Sequence, residues 1–163
     1  MHVEPLEPIS AADQQARVAR VDAIARGMGF VGTVAYRHVA TSSGGAQYGM
    51  GPTVDQDVLI VYAEAFRRDA VRDDFSLEAI IAHERGHQLI YRHDRLRRNA
   101  PREMSSVTEE VLASLLGSLV VSRVRDREDL VAKAIVELLD RGLSLTDASR
   151  RIQELLMYLE EIL

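Results

Sequence analysis

Ser76-Leu77-Glu78-Ala79-Ile80-Ile81-Ala82-His83-Glu84-Arg85-Gly86-His87-Gln88-Leu89-Ile90 is the stretch from which the rest of the chain can be read. Ser76 is a good N-cap and Glu78 suits the positive end of a helix dipole, so a helix is predicted from Ser76 through Ile90. Leu77, Ile80, Ile81, Leu89 and Ile90 supply its core stripe. His83 and His87, four apart, lie one turn from each other and about 40° apart around the axis. Both imidazoles therefore reach one metal ion. Glu84 can meet a water at an open coordination position without ligating the metal itself. This is metalloprotease spacing, and the expected ion is Zn2+, with Glu84 as general base.

Upstream, Ser10 to Gly27 repeats apolar residues at helical spacing, and Val31 to Ala40 carries β-formers. The Gly-rich segment from Ser42 to Pro52 lacks the Gly-Lys-Ser/Thr ending of a phosphate loop and is expected to be a hairpin or flexible rim. Val58-Leu59-Ile60-Val61-Tyr62 is a continuous apolar run, expected as a strand covered on both faces. A short helix from Ala63 to Arg72 follows. Downstream, the basic segment from Arg92 to Arg102, interrupted by Pro101, reads as a solvated loop, with steering of acidic substrates or phosphate groups as the other reading. Three further helices are predicted: Val107 to Val124, Arg127 to Arg141 with Gly142 as its stop, and Leu145 to the end. The expected class is α+β, a zincin-like small sheet followed by an α-helical bundle. One domain over 1–163 is expected, with a helix and small sheet in 1–75, metal-binding helices in 76–124 and a helical hairpin in 125–163.

Composition narrows the function classes. The 163 residues are 47% hydrophobic and 28% charged, which suits one globular domain. There is no cysteine, hence no disulfide framework and no thiolate metal site. No basic segment followed by an apolar run opens the chain, and the stretch from Leu115 to Val121 is far too short to span a bilayer. A soluble, cytoplasmic protein with no membrane partner is expected. The net charge of −5 argues against nucleic acid as the main partner. Nineteen of the 20 basic residues are Arg, which reads as a bias of the source genome.

A catalytic zinc normally takes three protein ligands and leaves one position for water. His93 lies past the helix end, about 120° away from the shared face. A lone strand histidine such as His38 is more often a surface residue. The carboxylates of the next helix fit better. Ser106 and Glu109 have capping-box spacing, which gives Glu109 a structural role. Glu110 projects about 100° away, on the face of Ser114 and Gly117, where a glycine lets another helix approach closely.

His83-Glu84-x-x-His87 followed by Glu110-x-x-Ala113-Ser114-x-x-Gly117 resembles the gluzincin metallopeptidases. It is closest to the HExxH…ExxADxxG pattern of the HtpX-type peptidases and the small minigluzincins. The ImmA/IrrE-type regulatory peptidases share the broader scheme. The resemblance covers Ser76 to Gly117 and implies zinc ligation by His83, His87 and Glu110 with Glu84 as general base. It places Ser114 where the family has an aspartate that orients a ligand histidine. Arg85 departs from the family's usual apolar residue.

The expected activity is that of a soluble zinc endopeptidase acting on peptide or protein substrates. The peptide would lie extended along an edge strand, here Val31 to Ala40. Tyr91, His93 and Tyr158 stay open as oxyanion donors. The alternative is a regulatory or catalytically idle zinc-binding module acting through its C-terminal hairpin. Leu138 to Ile152 looks like half of a helix-turn-helix, but no turn introduces a recognition helix. The apolar face of Leu155, Leu156, Leu159, Ile162 and Leu163 either closes the core or meets a partner, including a second copy in a homo-oligomer.

Overall fold

Ser10 caps the first helix, α1 (Ala11–Gly27), by accepting a hydrogen bond from the Asp13 N–H at 3.1 Å. The computed structural model describes residues 3–41, 44–103 and 108–163. Around α1 the chain forms β1 (Val3–Pro5), β2 (Thr33–Arg37), β3 (Val39–Thr41), β4 (Ala46–Gly49) and β5 (Val58–Tyr62). The apolar run of β5 lies at the centre of a three-stranded sheet ordered β2-β5-β4, where neighbours satisfy both of its edges. β2 runs parallel to β5, and β4 runs antiparallel to it.

The structure corrects one expectation here. Val31 to Ala40 is not one strand, because it breaks at His38. The His38 ring is held between the Tyr36 hydroxyl at 2.7 Å and the Glu7 carbonyl at 2.9 Å, and the chain beyond pairs with β1 instead. Part of the Gly-rich segment is one arm of an antiparallel pair, in keeping with the hairpin expectation. Ala46 to Gly49 forms the edge strand β4, and its non-local pairing with β5 overrides the weak β propensity of its glycine and alanine.

After β5 come α2 (Ala63–Asp69) and α3 (Leu77–Arg92). Ser76 caps α3, accepting from Ala79 N–H at 3.0 Å, as its sequence predicts. α4 (Asp94–Glu103) corrects a further expectation, since the basic segment is helical rather than a loop. Asp94 stands in its first turn, and Leu96, only 1% exposed, docks into the bundle. α5 (Glu109–Val120), α6 (Val124–Asp140) and α7 (Leu145–Ile162) complete the chain.

α3 belongs to two apolar cores. Its first half, through Leu77, Ile80 and Ile81, packs with Val21, Ala25, Leu59 and Val61 beneath the sheet. Its last turns, through Leu89 and Ile90, pack with Leu112, Leu116, Leu138 and Ile152 of the bundle. Leu155, Leu159 and Ile162 of α7 are buried there too, so most of that helix's apolar face closes the core. The α3 C-terminus is tied to the sheet through Asp57, which is fully buried. Its carboxylate accepts from Arg92 at 2.7 and 3.1 Å, Gln88 at 3.0 Å, the Tyr48 hydroxyl at 2.7 Å and the Gly51 N–H at 2.9 Å. Burial opposes ionisation of Asp57, but these donors outweigh it and hold its carboxyl well below the usual range. Among the described residues, no helix is long and apolar enough to cross a membrane.

Candidate metal centre

The α3–α5 contact builds the site. Gly86 faces the α5 backbone so closely that a Cβ there would lie 2.1 Å from the Ala113 carbonyl oxygen. Reciprocally, a Cβ on Gly117 would lie 2.8 Å from the Ala82 carbonyl oxygen. Two glycines, one on each helix, thus let the backbones touch. The role of Gly117 is legible in its spacing from Glu110, whereas Gly86 sits inside the histidine motif, where its helix-packing role is hidden.

This approach carries Glu110, in the first turn of α5, onto both histidines of α3. Its carboxylate oxygens lie 2.9 Å from His83 Nε2 and 3.1 Å from His87 Nε2, and the two Nε2 atoms are 3.2 Å apart. Tetrahedral zinc with bonds of about 2.0–2.2 Å sets its ligand atoms roughly 3.3 Å from one another. His83, His87 and Glu110 could therefore hold a metal ion. Proton accounting supports the fit. His87 Nδ1 donates to Glu109 at 2.6 Å, and His83 Nδ1 meets Ser114 Oγ at 2.9 Å. With the ring protons on both Nδ1 atoms, the two Nε2 lone pairs and a carboxylate would converge on one point, as a bound cation requires.

His83 is buried, and this desolvation holds its pKa down; the positive charge of Lys133 and the neighbouring His87 act in the same direction. Burial also disfavours charge on His87, but Glu110, Glu84 and Glu109 outweigh it and raise its pKa. Glu110 is held well below the carboxylate range by its hydrogen bonds to the two histidines. Glu84 lines the same cleft without belonging to the ligand cluster, and burial pushes its carboxyl up to about 7. The backbone N–H of Tyr48, on β4, is directed at it.

The capping-box assignment of Glu109 is corrected. Ser106 lies outside the described residues, and the cap of α5 is Thr108, whose hydroxyl accepts from Val111 N–H at 3.4 Å. Glu109 is then the first helical residue, two positions too early for the box. Its carboxylate instead accepts from His87 and from the Tyr91 hydroxyl. It fixes the ring of a histidine that could hold a metal, a role adjacent sequence alone does not reveal.

All of this lines a cleft of about 660 Å³. Its rim is β4, through Ala46, Gln47 and Tyr48, while β2 does not line it, so the cleft's edge strand is β4 and not the Val31–Ala40 segment. Of the three proposed oxyanion donors only Tyr91 faces the cleft, and its hydroxyl is committed to Glu109. His93 is the C-cap of α3, and neither it nor Tyr158 lines the cleft. His38, bound to Tyr36 and Glu7, is not brought to the ligands. Compared with known families, with curated proteins and with solved structures, the chain matches none.

Proposed function

We propose that this chain is a zinc-dependent endopeptidase of gluzincin type. The observation that carries the reading is the convergence of two imidazole Nε2 atoms and the Glu110 carboxylate on one point of a cleft. That cleft also holds a desolvated glutamate and an open strand edge. A bound zinc would supply a water of lowered pKa and polarise the scissile carbonyl. Glu84, whose carboxyl is raised to about 7, is matched to taking a proton near neutrality and passing it to the leaving amine. The β4 edge offers the main-chain groups of Ala46 and the carbonyl of Tyr48, whose N–H is held by Glu84, to an extended peptide, which would add as an antiparallel or parallel strand. Glu109 holds the His87 ring, and Ser114 holds the His83 ring, so each ligand keeps its Nε2 aimed at the metal position.

The test combines metal analysis with one substitution. The purified protein should carry one zinc per chain, and Glu84→Gln should keep that zinc while losing nearly all peptide hydrolysis. Undiminished hydrolysis by Glu84→Gln would remove Glu84 from the mechanism, and a failure to bind zinc after reconstitution would end the reading.

A further inference from the structure

Partner accounting along the cleft leaves two groups without an ion pair, Glu84, which the proposed function uses, and one cation. Glu110 serves the histidines, and Glu109 serves His87 and Tyr91. Arg68 is bound by Asp74 at 2.9 and 3.0 Å and by the Gly44 carbonyl at 2.8 Å. Lys133 of α6 also lines the cleft, and among the described residues no carboxylate is paired with its ammonium. It is the only lysine in a chain whose other 19 basic residues are arginine. A lysine presents a compact charge on a flexible stem, without the planar fork of arginine.

Apolar side chains line the cleft together with Lys133. Leu130, one turn earlier on α6, lines the same wall and packs with Ala79 and Phe75. The Phe75 ring in turn carries the Arg68 guanidinium 5.2 Å from its centroid. This end of the cleft thus sets the apolar Phe75 and Leu130 beside one unpaired ammonium, the Arg68 charge being held by Asp74. The Lys133 charge is felt at both His83 and Glu84, so this end lies close to the reacting centre.

We propose that the Phe75–Leu130–Lys133 end of the cleft is a carboxylate-binding subsite, which takes a substrate residue bearing an anionic carboxylate beside apolar bulk. The proposal rests on the peptidase reading for its substrate, but not for its binding chemistry. The carboxylate comes from an acidic side chain or from the peptide's C-terminus, and either one replaces water at an ammonium that the fold leaves without a counter-ion.

The single lysine makes a direct test. Reductive 13C-methylation of the full chain keeps the charge and labels only Lys133 and the α-amino group, whose signal serves as internal control. Titration with 3-phenylpropionate should shift the Lys133 signal, and 3-phenylpropanamide should not; equal shifts from acid and amide, or none, overturn the subsite. In parallel, zinc-loaded protein is given peptide libraries ending in free acid or amide, with Glu or Gln fixed at each position. A carboxylate at one place should lower KM about tenfold, and Lys133→Gln should abolish that preference while Lys133→Arg keeps most of it. Whichever carboxylate produces the preference identifies the source. If Lys133→Gln instead lowers kcat alike for acid and neutral peptides at unchanged KM, the ammonium acts on the reacting carbonyl and the subsite is refuted. A Lys133 shift without any peptide hydrolysis would sink the peptidase reading and leave the subsite standing. Hydrolysis that is abolished by Glu84→Gln but indifferent to carboxylates would do the reverse.

Discussion

Gly86→Ala tests whether helix contact sets the metal geometry. The new methyl would lie 2.1 Å from the Ala113 carbonyl oxygen and 2.8 Å from that residue's Cα and carbonyl carbon, all of them backbone atoms that no rotamer change can move aside. α3 and α5 must separate by roughly 1 Å before the contact becomes tolerable. Overpacking of this kind costs about 1–3 kcal/mol, against about 1 kcal/mol gained from replacing a helical glycine with alanine. The metal site is more sensitive than the fold, because Glu110 travels with α5 while both histidines stay on α3. Ligand distances tolerate only about 0.2 Å, so zinc affinity should fall by roughly one to two orders of magnitude. Gly117→Ala is the graded control. Its Cβ would sit 2.8 Å from the Ala82 oxygen and needs a shift of only a few tenths of an ångström, so its losses should be smaller on both counts. Urea denaturation of the metal-free proteins reads the first quantity, and zinc titration against a chromophoric chelator reads the second. A Gly86→Ala protein stabilised by about 1 kcal/mol with unchanged zinc affinity would refute the argument, since the helices would then have slack to spare.

Glu110→Gln should weaken zinc binding by orders of magnitude, because an uncharged amide oxygen replaces the anionic ligand. Glu109→Gln should cost roughly ten- to a hundredfold, since the His87 ring loses its charged acceptor; titrations that rank the two the other way would exchange their roles. In the metal-free protein the Glu84 carboxyl should titrate near pH 7 by 13C NMR, and zinc should move that titration downward through the ion's positive charge. The buried Asp57 has a folded-state pKa below its unfolded value, so its stabilisation is present above about pH 4 and is lost as pH falls further. Asp57→Asn should flatten that acid limb of stability and destabilise the fold at neutral pH by leaving Arg92 without its charged partner; an unchanged limb in pH-dependent denaturation would assign the acid sensitivity elsewhere.

How much of this is written locally varies from residue to residue. The Ser76 cap, the shared face of His83 and His87 and the clearance at Gly117 each depend on neighbours within two turns, and the chain displays them openly. Ser114 reaching His83 Nδ1 follows from that same phase of α5. Glu109 illustrates the opposite case. Ser106 and Thr108 are both competent caps by residue type, and the described helix begins after Thr108, where Glu109 is drawn onto His87 and Tyr91 across the helix pair. β4 is only half legible, as hairpin or rim, for a related reason: a short segment rich in glycine becomes a strand only because β5 offers it an edge. In α4 the high charge suggests a solvated loop, yet arginine and leucine are good helix formers, and Leu96 finds a place in the bundle core. The use of Lys133 depends on which side of α6 meets the cleft, and its only trace in the chain is that it stands alone among arginines.

The division of ligands between the helices also fixes how an ion would enter and leave. His83 and His87 sit mid-helix, fastened from both ends by the two cores that α3 joins. Glu110 belongs to the opening turn of α5, and helix ends open at far lower free energy than helix middles. Release of a bound ion then requires only that one turn unwind, with the α3–α5 contact at Gly86 and Gly117 left closed. Exchange would then be decoupled from global unfolding: the histidine pair would act as a standing receptor, and the glutamate as a latch whose opening rate would set the residence time.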